Sequence, residues 1–461
     1  MLCAGGPGLL LWVGVSADGT GDGRADERAR RAVDAVWRIE SPRLIAGLTR
    51  IVHDLGVAEE LAQDALVAAL EQWPAQGVPR NPGAWLMTTA KRRAVDQIRR
   101  NETYARKLRL LGHELELDQG SASFEEPDDP EVIEDDLLRL VFISCHPVLS
   151  REARVALTLR LLGGLTTDEI ARAFLVPEAT VAQRIVRAKR TLARDKVPFE
   201  VPYGPERTER LASVLEVVYL VFNEGYAATA GDDWMRPGLC EDALRLARVL
   251  AGLMPAEPEV HGLAALLEIQ ASRSAARTSD AAPVLLLDQN RRHWDQLLIR
   301  RGFAALARAE AAARARGVPP GPYALQAAIA ASHARALDPA ETDWAAIAAL
   351  YEQLAVRAPS PVVELNRAVA VGMAQGPAAG LALVDALTAS PAGAALADYH
   401  LLPSVRADLL SRLGRTAEAR AEFTRAAALT RNNAERSLLL DRAEAAAGAE
   451  PPTPGTPPPT P

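Results

Sequence analysis

Residues 166–192, TTDEIARAFLVPEATVAQRIVRAKRTL, divide at a proline. Thr166 followed three positions on by Glu169 has the spacing of a capping box, in which each side chain satisfies a backbone N–H at a helix start. Ile170 and Phe174 stand one turn apart on a predicted apolar face. Pro177 disfavours helix at Val176 and suits the first turn of a following helix. In that helix Val181, Ile185, Ala188 and Leu192 recur at steps of four, three and four, which predicts a buried stripe. Thr180, Gln183, Arg184, Arg187 and Arg190 share its other face. Such a mixture of amide and guanidinium groups suits a helix-turn-helix whose second helix enters a DNA major groove. There Gln bonds adenine edges, and Arg bonds guanine edges or phosphate. A helical hairpin with a solvated basic face carries the same local pattern.

The 461 residues leave room for two or three domains. With 49% hydrophobic and 24% charged residues the composition is globular. A net charge of −7 excludes a chain that binds nucleic acid all over, so a DNA-binding surface must be local. Cys3, Cys145 and Cys240 are far apart, which suggests neither a zinc site nor a disulfide framework. Cys145-His146-Pro147 has the residue types of a nucleophile and base, but sequence neighbours rarely converge on one reacting atom; buried helix-end packing is the expectation. Residues 7–15, PGLLLWVGV, are similar to a signal-peptide core, yet no Lys or Arg precedes them and the run is too short to span a bilayer. We therefore expect 1–27 to be a disordered leader and the protein to be cytoplasmic, without a membrane segment.

From 28 to 73 the pattern is helical. Leu61, Ala65, Leu66, Ala69 and Leu70 lie on a helix over 57–73 that also carries Glu59, Glu60, Asp64 and Glu71. Those acids are either a solvated face or a docking surface for a basic partner. PAQGVPRNPGA, residues 74–84, is a Pro/Gly loop. The next helix is predicted from Trp85 to about Lys107. Between 80 and 109 nine basic residues face two acids, a net of +7, which attracts phosphate. Asp96 has arginines three and four positions away on both sides, so its expected task is to hold those guanidiniums. Trp85 is expected to anchor the core. In 113–136 the balance inverts: eleven of 24 residues are acidic and none is Lys or Arg, the composition of a self-repelling flexible linker.

Beyond Pro198 and Pro202 lies an Ala/Leu/Arg-rich helical region over 207–446. Its clearest unit is HLLPSVRADLLSRLGRTAEARAEFTRAAAL, residues 400–429: one helix ends at Leu413-Gly414-Arg415, and a second carries Ala417, Ala421, Phe423, Ala426 and Ala427. It is similar to a tetratricopeptide unit. Degenerate pairs precede it at 324–337 with 343–356 and at 362–374 with 377–388. Stacked pairs make a solenoid with a concave face for a protein partner or ligand, a plain helical bundle being the alternative. VYLVFNEGYAATAGDDW (218–234) and LLLDQNRRHWDQ (285–296) are its densest polar stretches. They are candidates for a functional part, although Asn223, Glu224, Asp288, Arg291 and Asp295 are first expected to be interhelix structural pairs. The tail, 447–461, ends in PPTPGTPPPTP, a disordered or polyproline segment.

Together these segments resemble a bacterial RNA polymerase sigma factor of the extracytoplasmic-function type, group 4 of the sigma-70 superfamily. VAEELAQDALVAALEQW (57–73) resembles the region 2 helix that docks on the polymerase clamp. WLMTTAKRRAVDQIRR (85–100) resembles the segment for the promoter −10 element, with Arg92 where Asn is common. LTTDEIARAFLVPEATVAQRIVRAKRTL (165–192) resembles region 4, which reads the −35 element. The resemblance implies an all-α protein: region 2 over 28–110, acidic linker over 111–136, region 4 over 137–198, and a tetratricopeptide-like extension over 207–446 that regulates. It implies −35 contacts by Thr180, Gln183, Arg184, Arg187 and Arg190. For the −10 element it implies Lys91, Arg92, Arg93, Asp96, Arg99 and Arg100; for polymerase, Glu59, Glu60, Asp64 and Glu71. Core RNA polymerase and promoter DNA are the implied partners, with no cofactor, metal or catalysis. The competing expectation is a helix-turn-helix regulator with a solenoid sensor, acting without being a sigma subunit. An enzyme seated in the C-terminal half is disfavoured, since no Gly-rich phosphate loop, metal-ligand spacing or paired nucleophile and base is present.

Overall fold

A computed structural model describes residues 22–111, 130–174, 176–228, 234–279 and 282–448. The expected leader up to residue 21, the linker over 112–129 and the tail from 449 lie outside them. Two expectations at their borders are corrected: the backbone is helical from Asp22, and a helix occupies Pro130–Asp136 within the expected linker. The chain divides into two compact units, residues 1–126 and 127–461.

The first unit holds α1 (Asp22–Val52), α2 (Leu55–Gln76) and α3 (Pro82–Leu111), which pack on one another. Asp54 accepts from Val57 N at 2.9 Å and starts α2; Asn81 caps α3 through Ala84 N at 3.1 Å. The core gathers Leu44, Ile45 and Leu48 from α1, Leu61, Ala65 and Ala69 from α2, and Leu86, Ala90 and Ala94 from α3. Trp85 meets buried Trp73 edge-on, ring centroids 5.4 Å apart, as an anchor should.

The second unit begins with α4 (Pro130–Ser144), α5 (Arg151–Leu161), α6 (Thr167–Ala173) and α7 (Glu178–Arg194). It continues through α8 (Gly204–Tyr226), α9 (Pro237–Leu253) and α10 (Pro258–Ala271) to a two-residue antiparallel ladder, β1 (Thr278–Ser279) with β2 (Ala282–Pro283). Then follow α11 (Gln296–Arg316), α12 (Pro322–Arg335), α13 (Trp344–Arg357), α14 (Pro361–Gln375), α15 (Pro377–Ala389), α16 (Leu401–Arg412), α17 (Thr416–Leu429) and α18 (Asn433–Gly448). From α12 onward each helix packs on the next, the stacking of a solenoid. The expected helix pairs match α12/α13, α14/α15 and α16/α17. Gly414 turns between the last two at φ +74°, a left-handed conformation that glycine adopts without strain. Gly380 lets α15 approach α14 closely: a Cβ there would stand 2.7 Å from Ala368 O. Phe423, Ala419, Ala426 and Ala427 are buried in the terminal core with Leu409 and Leu410. The far end also returns to the start, because α18 packs on β2 and the Asn432 amide donates to Ala228 O at 3.1 Å.

Burial pushes the His333 imidazole on α12 down from 6.5 to about 4, with repulsion from Arg273 and Arg291 adding to it. The folded state thus keeps His333 neutral where the unfolded chain protonates it. Its contribution to stability is complete above pH 6.5 and is lost as pH falls toward 4, up to about 3 kcal/mol. Calorimetry across that window should show a fall in Tm that His333→Gln makes shallower; equal slopes would refute the assignment.

Candidate nucleic-acid interface

The helix-turn-helix forms from the residues that predict it. Glu169 N donates to Thr166 Oγ1 at 3.1 Å, and Thr166 N donates to Glu169 Oε2 at 2.8 Å, completing the capping box. Val181, Ile185, Ala188 and Leu192 are all buried, and α7 packs on α5 and α6. At 3.6 residues per turn, the face opposite that stripe is centred on Ala179, Gln183, Val186 and Arg190. All four are exposed, as is Arg187 beside them; Thr180 and Arg184 lie half-buried on the flank. A search for polar side chains therefore missed Ala179 and Val186. Val186 is 46% exposed in the middle of a polar face, and a helical wheel drawn from the buried stripe would have found it.

The back of this motif is held by the extension. Arg151 Nη2 donates to Glu216 Oε1 at 2.6 Å and Arg154 Nη1 to Glu216 Oε2 at 3.3 Å. Arg154 also donates to Ser213, whose hydroxyl donates to Cys145 O at 2.6 Å. Arg210, almost fully buried, reaches Phe142 O at 3.4 Å and lies over the Phe142 ring. Two arginines finish helices far away in sequence. Arg245 donates to Leu162 O and Gly163 O, at 3.2 and 3.1 Å, just past α5. Arg236 donates to Ala173 O at the end of α6 and pairs with Glu224. Helix ends leave carbonyls without partners, and here the extension supplies the donors. Cys145 belongs to the same packing: burial pushes its thiol up to about 11, Thr158 Oγ1 is 3.3 Å from its sulfur, and no thiolate nucleophile is available.

On α3, Arg92 and Asp96 are exposed and Lys91 and Arg93 half-buried; the side chains of Arg99 and Arg100 lie outside the described residues. Arg93 does not turn to Asp96. It reaches Asp64 on α2, 3.3 Å away. Glu60, Asp64 and Glu71 are exposed. Glu59 overturns its expected place on a docking surface: it is only 4% exposed and accepts from Gln63 at 2.8 Å. It lies among the buried residues Ala58 and Ala62 of α2, so it is turned inward.

Residues 37–103 match the family described as Sigma-70 region 2, and residues 139–192 match Sigma-70, region 4. The ECF RNA polymerase sigma factor SigK of Mycobacterium sp. (strain KMS) is 30% identical over 167 residues, 34% of this chain and 80% of the relative. The chain belongs to the sigma-70 family, as an extracytoplasmic-function sigma factor. The RNA polymerase sigma-H factor of Pseudomonas aeruginosa is 27% identical over 185 residues, covering 38% of this chain and 92% of that protein. As a sigma factor the chain binds core RNA polymerase and promoter DNA and directs promoter recognition. Two sigma regions in one chain disfavour the stand-alone regulator, and the sigma-70 family is not an enzyme family. The extension contains a match over 210–310 to a family of unknown function (DUF6596). An uncharacterised protein of Rhizobium meliloti (strain 1021) is 45% identical over 401 residues, 86% of this chain and 92% of its own length. No solved structure matches the chain. No helix among the described residues is long and apolar enough to cross a membrane.

Glu216→Ala should loosen the sigma region 4 helices. Hydrogen exchange across α5 is expected to speed up and unfolding to become easier by about 1 kcal/mol. Unchanged exchange would show that this contact carries no weight.

Proposed function

We propose that α7 reads the −35 element through Gln183, Val186, Arg187 and Arg190, with Thr180 and Arg184 directed to phosphate from the flank. The observation that carries this is the outward face of α7, exposed from Ala179 to Arg190 while its opposite face is buried. Gln and Arg suit adenine and guanine edges, and an apolar Val186 between them suits a thymine methyl. On α3, Lys91, Arg92, Arg93, Asp96, Arg99 and Arg100 serve the opened −10 region, mostly through phosphate. Glu60, Asp64 and Glu71 on α2 face the polymerase. The chain works beside core polymerase in the cytoplasm and carries no reaction of its own. Its region 2 and region 4 act at separate promoter elements, and the acidic linker between them threads toward the polymerase. The extension regulates by holding region 4 from behind.

Reconstitution with core polymerase tests these roles. Arg187→Ala should weaken open-complex formation at a matched promoter by about tenfold, a loss of 1–3 kcal/mol; an unchanged promoter profile would refute its role. Replacing each −35 thymine by deoxyuridine should reveal one methyl on which wild-type binding depends and Val186→Ala binding does not. Persistent sensitivity in the variant would remove Val186 from base reading. Deleting 204–461 strips α8 and α9 from region 4 and should lower transcription, checked by run-off assay. Equal transcription from both chains would make the extension dispensable.

A further inference from the structure

The two polar stretches of the extension meet in the fold, joined by arginines that belong to neither. Arg277 lies against the Tyr226 ring, its Cζ 3.7 Å from the centroid, and 5.4 Å from the Trp234 ring. Gln270 Oε1 accepts from Tyr226 Oη at 3.1 Å and from Arg273 Nη1 at 2.9 Å. Arg273 Nε reaches Gln289 at 3.2 Å, and Arg273 and Arg291 each stand 5.3 Å from the Trp294 ring. The result is one connected cluster at the junction of α8, α10 and the β1–β2 ladder.

Its chemistry is unbalanced. Arg273 and Arg277 are 9% and 8% exposed, and Arg291 is buried too. Among the described residues none of the three has a carboxylate partner at ion-pair distance. Arg291 is committed to Ala336 O, His333 O and Thr342 Oγ1, where it finishes α12. The Arg277 side chain, by contrast, makes a single hydrogen bond among the described residues, from Nη2 to Tyr226 O at 3.0 Å. Its Nε and the indole N–H of Trp234 are buried without an acceptor. Burial, with Arg277 and Arg291 nearby, holds the Arg273 pKa below its ordinary value. Aromatic faces offset part of the desolvation of a guanidinium, but a buried cation is stabilised chiefly by an anion, and orphaned donors need acceptors. Among the described residues this cluster therefore has donors and positive charge in excess at one place.

We propose that Arg273, Arg277 and Trp234 form a site for the carboxylate or phosphate group of a small molecule, and that its occupancy acts on region 4 through Arg236. Two oxygens of such a group would accept from the unengaged Arg277 and Arg273 nitrogens and from Trp234 Nε1, in charge-assisted bonds. Trp234 stands two residues before Arg236, whose backbone N–H donates to Gly225 O at 2.7 Å and whose guanidinium holds the end of α6. Filling the site thus bears on the segment that fastens the helix-turn-helix.

The binding arm uses the full-length protein and needs neither polymerase nor promoter. Tm is measured against inorganic phosphate and, separately, citrate, with sodium chloride at matched ionic strength as control. A saturable rise with either anion beyond the chloride control is expected, and which one saturates at lower concentration assigns the group. Arg277→Gln should raise the half-saturating concentration by about tenfold or abolish the response. Trp234→Phe, which deletes the N–H but keeps an aromatic face, should weaken it less. No saturable response in the wild type would overturn the proposal. An undiminished response in both variants would overturn it equally. In the transcription arm, the binding anion should alter run-off yield with the wild-type holoenzyme and not with Arg277→Gln. An anion that binds but leaves wild-type yield unchanged would refute the coupling alone.

Discussion

Carbonyl groups at a helix end must find donors, and in region 4 those donors come from the extension. Arg245 satisfies the carbonyls that follow α5, Arg236 the last carbonyl of α6, and Arg210 a carbonyl of α4. Each is planted on a helix of the extension or at its edge, so the helix-turn-helix and the first extension helices share one compact unit. A −35 reader built this way has its recognition face open and its back committed. The extension is consequently in a position to govern where region 4 can go.

Charge is sorted by the same need for partners. A chain of net −7 can meet DNA only where cations collect, and they collect on α3 and the outer face of α7. Acids on α2 are not equivalent to one another. Glu60 and Glu71 face solvent, Asp64 reaches Arg93 across to α3, and Glu59 turns into the core. The ion pair between Asp64 and Arg93 links a helix that resembles a polymerase-docking element to one that resembles a −10 element. Exposed pairs of this kind contribute little stability, so its interest lies in how it orients the two helices.

Within the extension the local helix pairs are regular, while the polar stretches at 218–234 and 285–296 depart from simple interhelix pairing. Glu224 pairs with Arg236 and so serves the contact with region 4. Asp295 caps α11 by accepting from Leu297 N and Leu298 N, and Arg291 finishes α12. What remains around Arg273 and Arg277 is a concentration of cations and indole donors with no carboxylate at ion-pair distance among the described residues. Native interiors seldom leave such groups uncompensated, and the anion proposed above would supply the missing acceptor.

The sequence by itself determined what depends on neighbours a few residues apart. The capping box of Thr166 and Glu169, the Val181–Leu192 stripe, the Gly414 turn and the tetratricopeptide-like pair at 400–429 all follow from periodicity and caps, and they are present as read. Trp85, expected as an anchor, is half-buried against the ring of buried Trp73. Tertiary structure decided which face of each amphipathic helix was spent. Glu59 is a charged residue that packing drew inward, and Val186 is an apolar one that packing left out. It alone joined Arg236, Arg245 and Arg277 to partners distant in sequence, because a guanidinium can satisfy any carbonyl or ring it reaches, and only the folded chain selects which one that is.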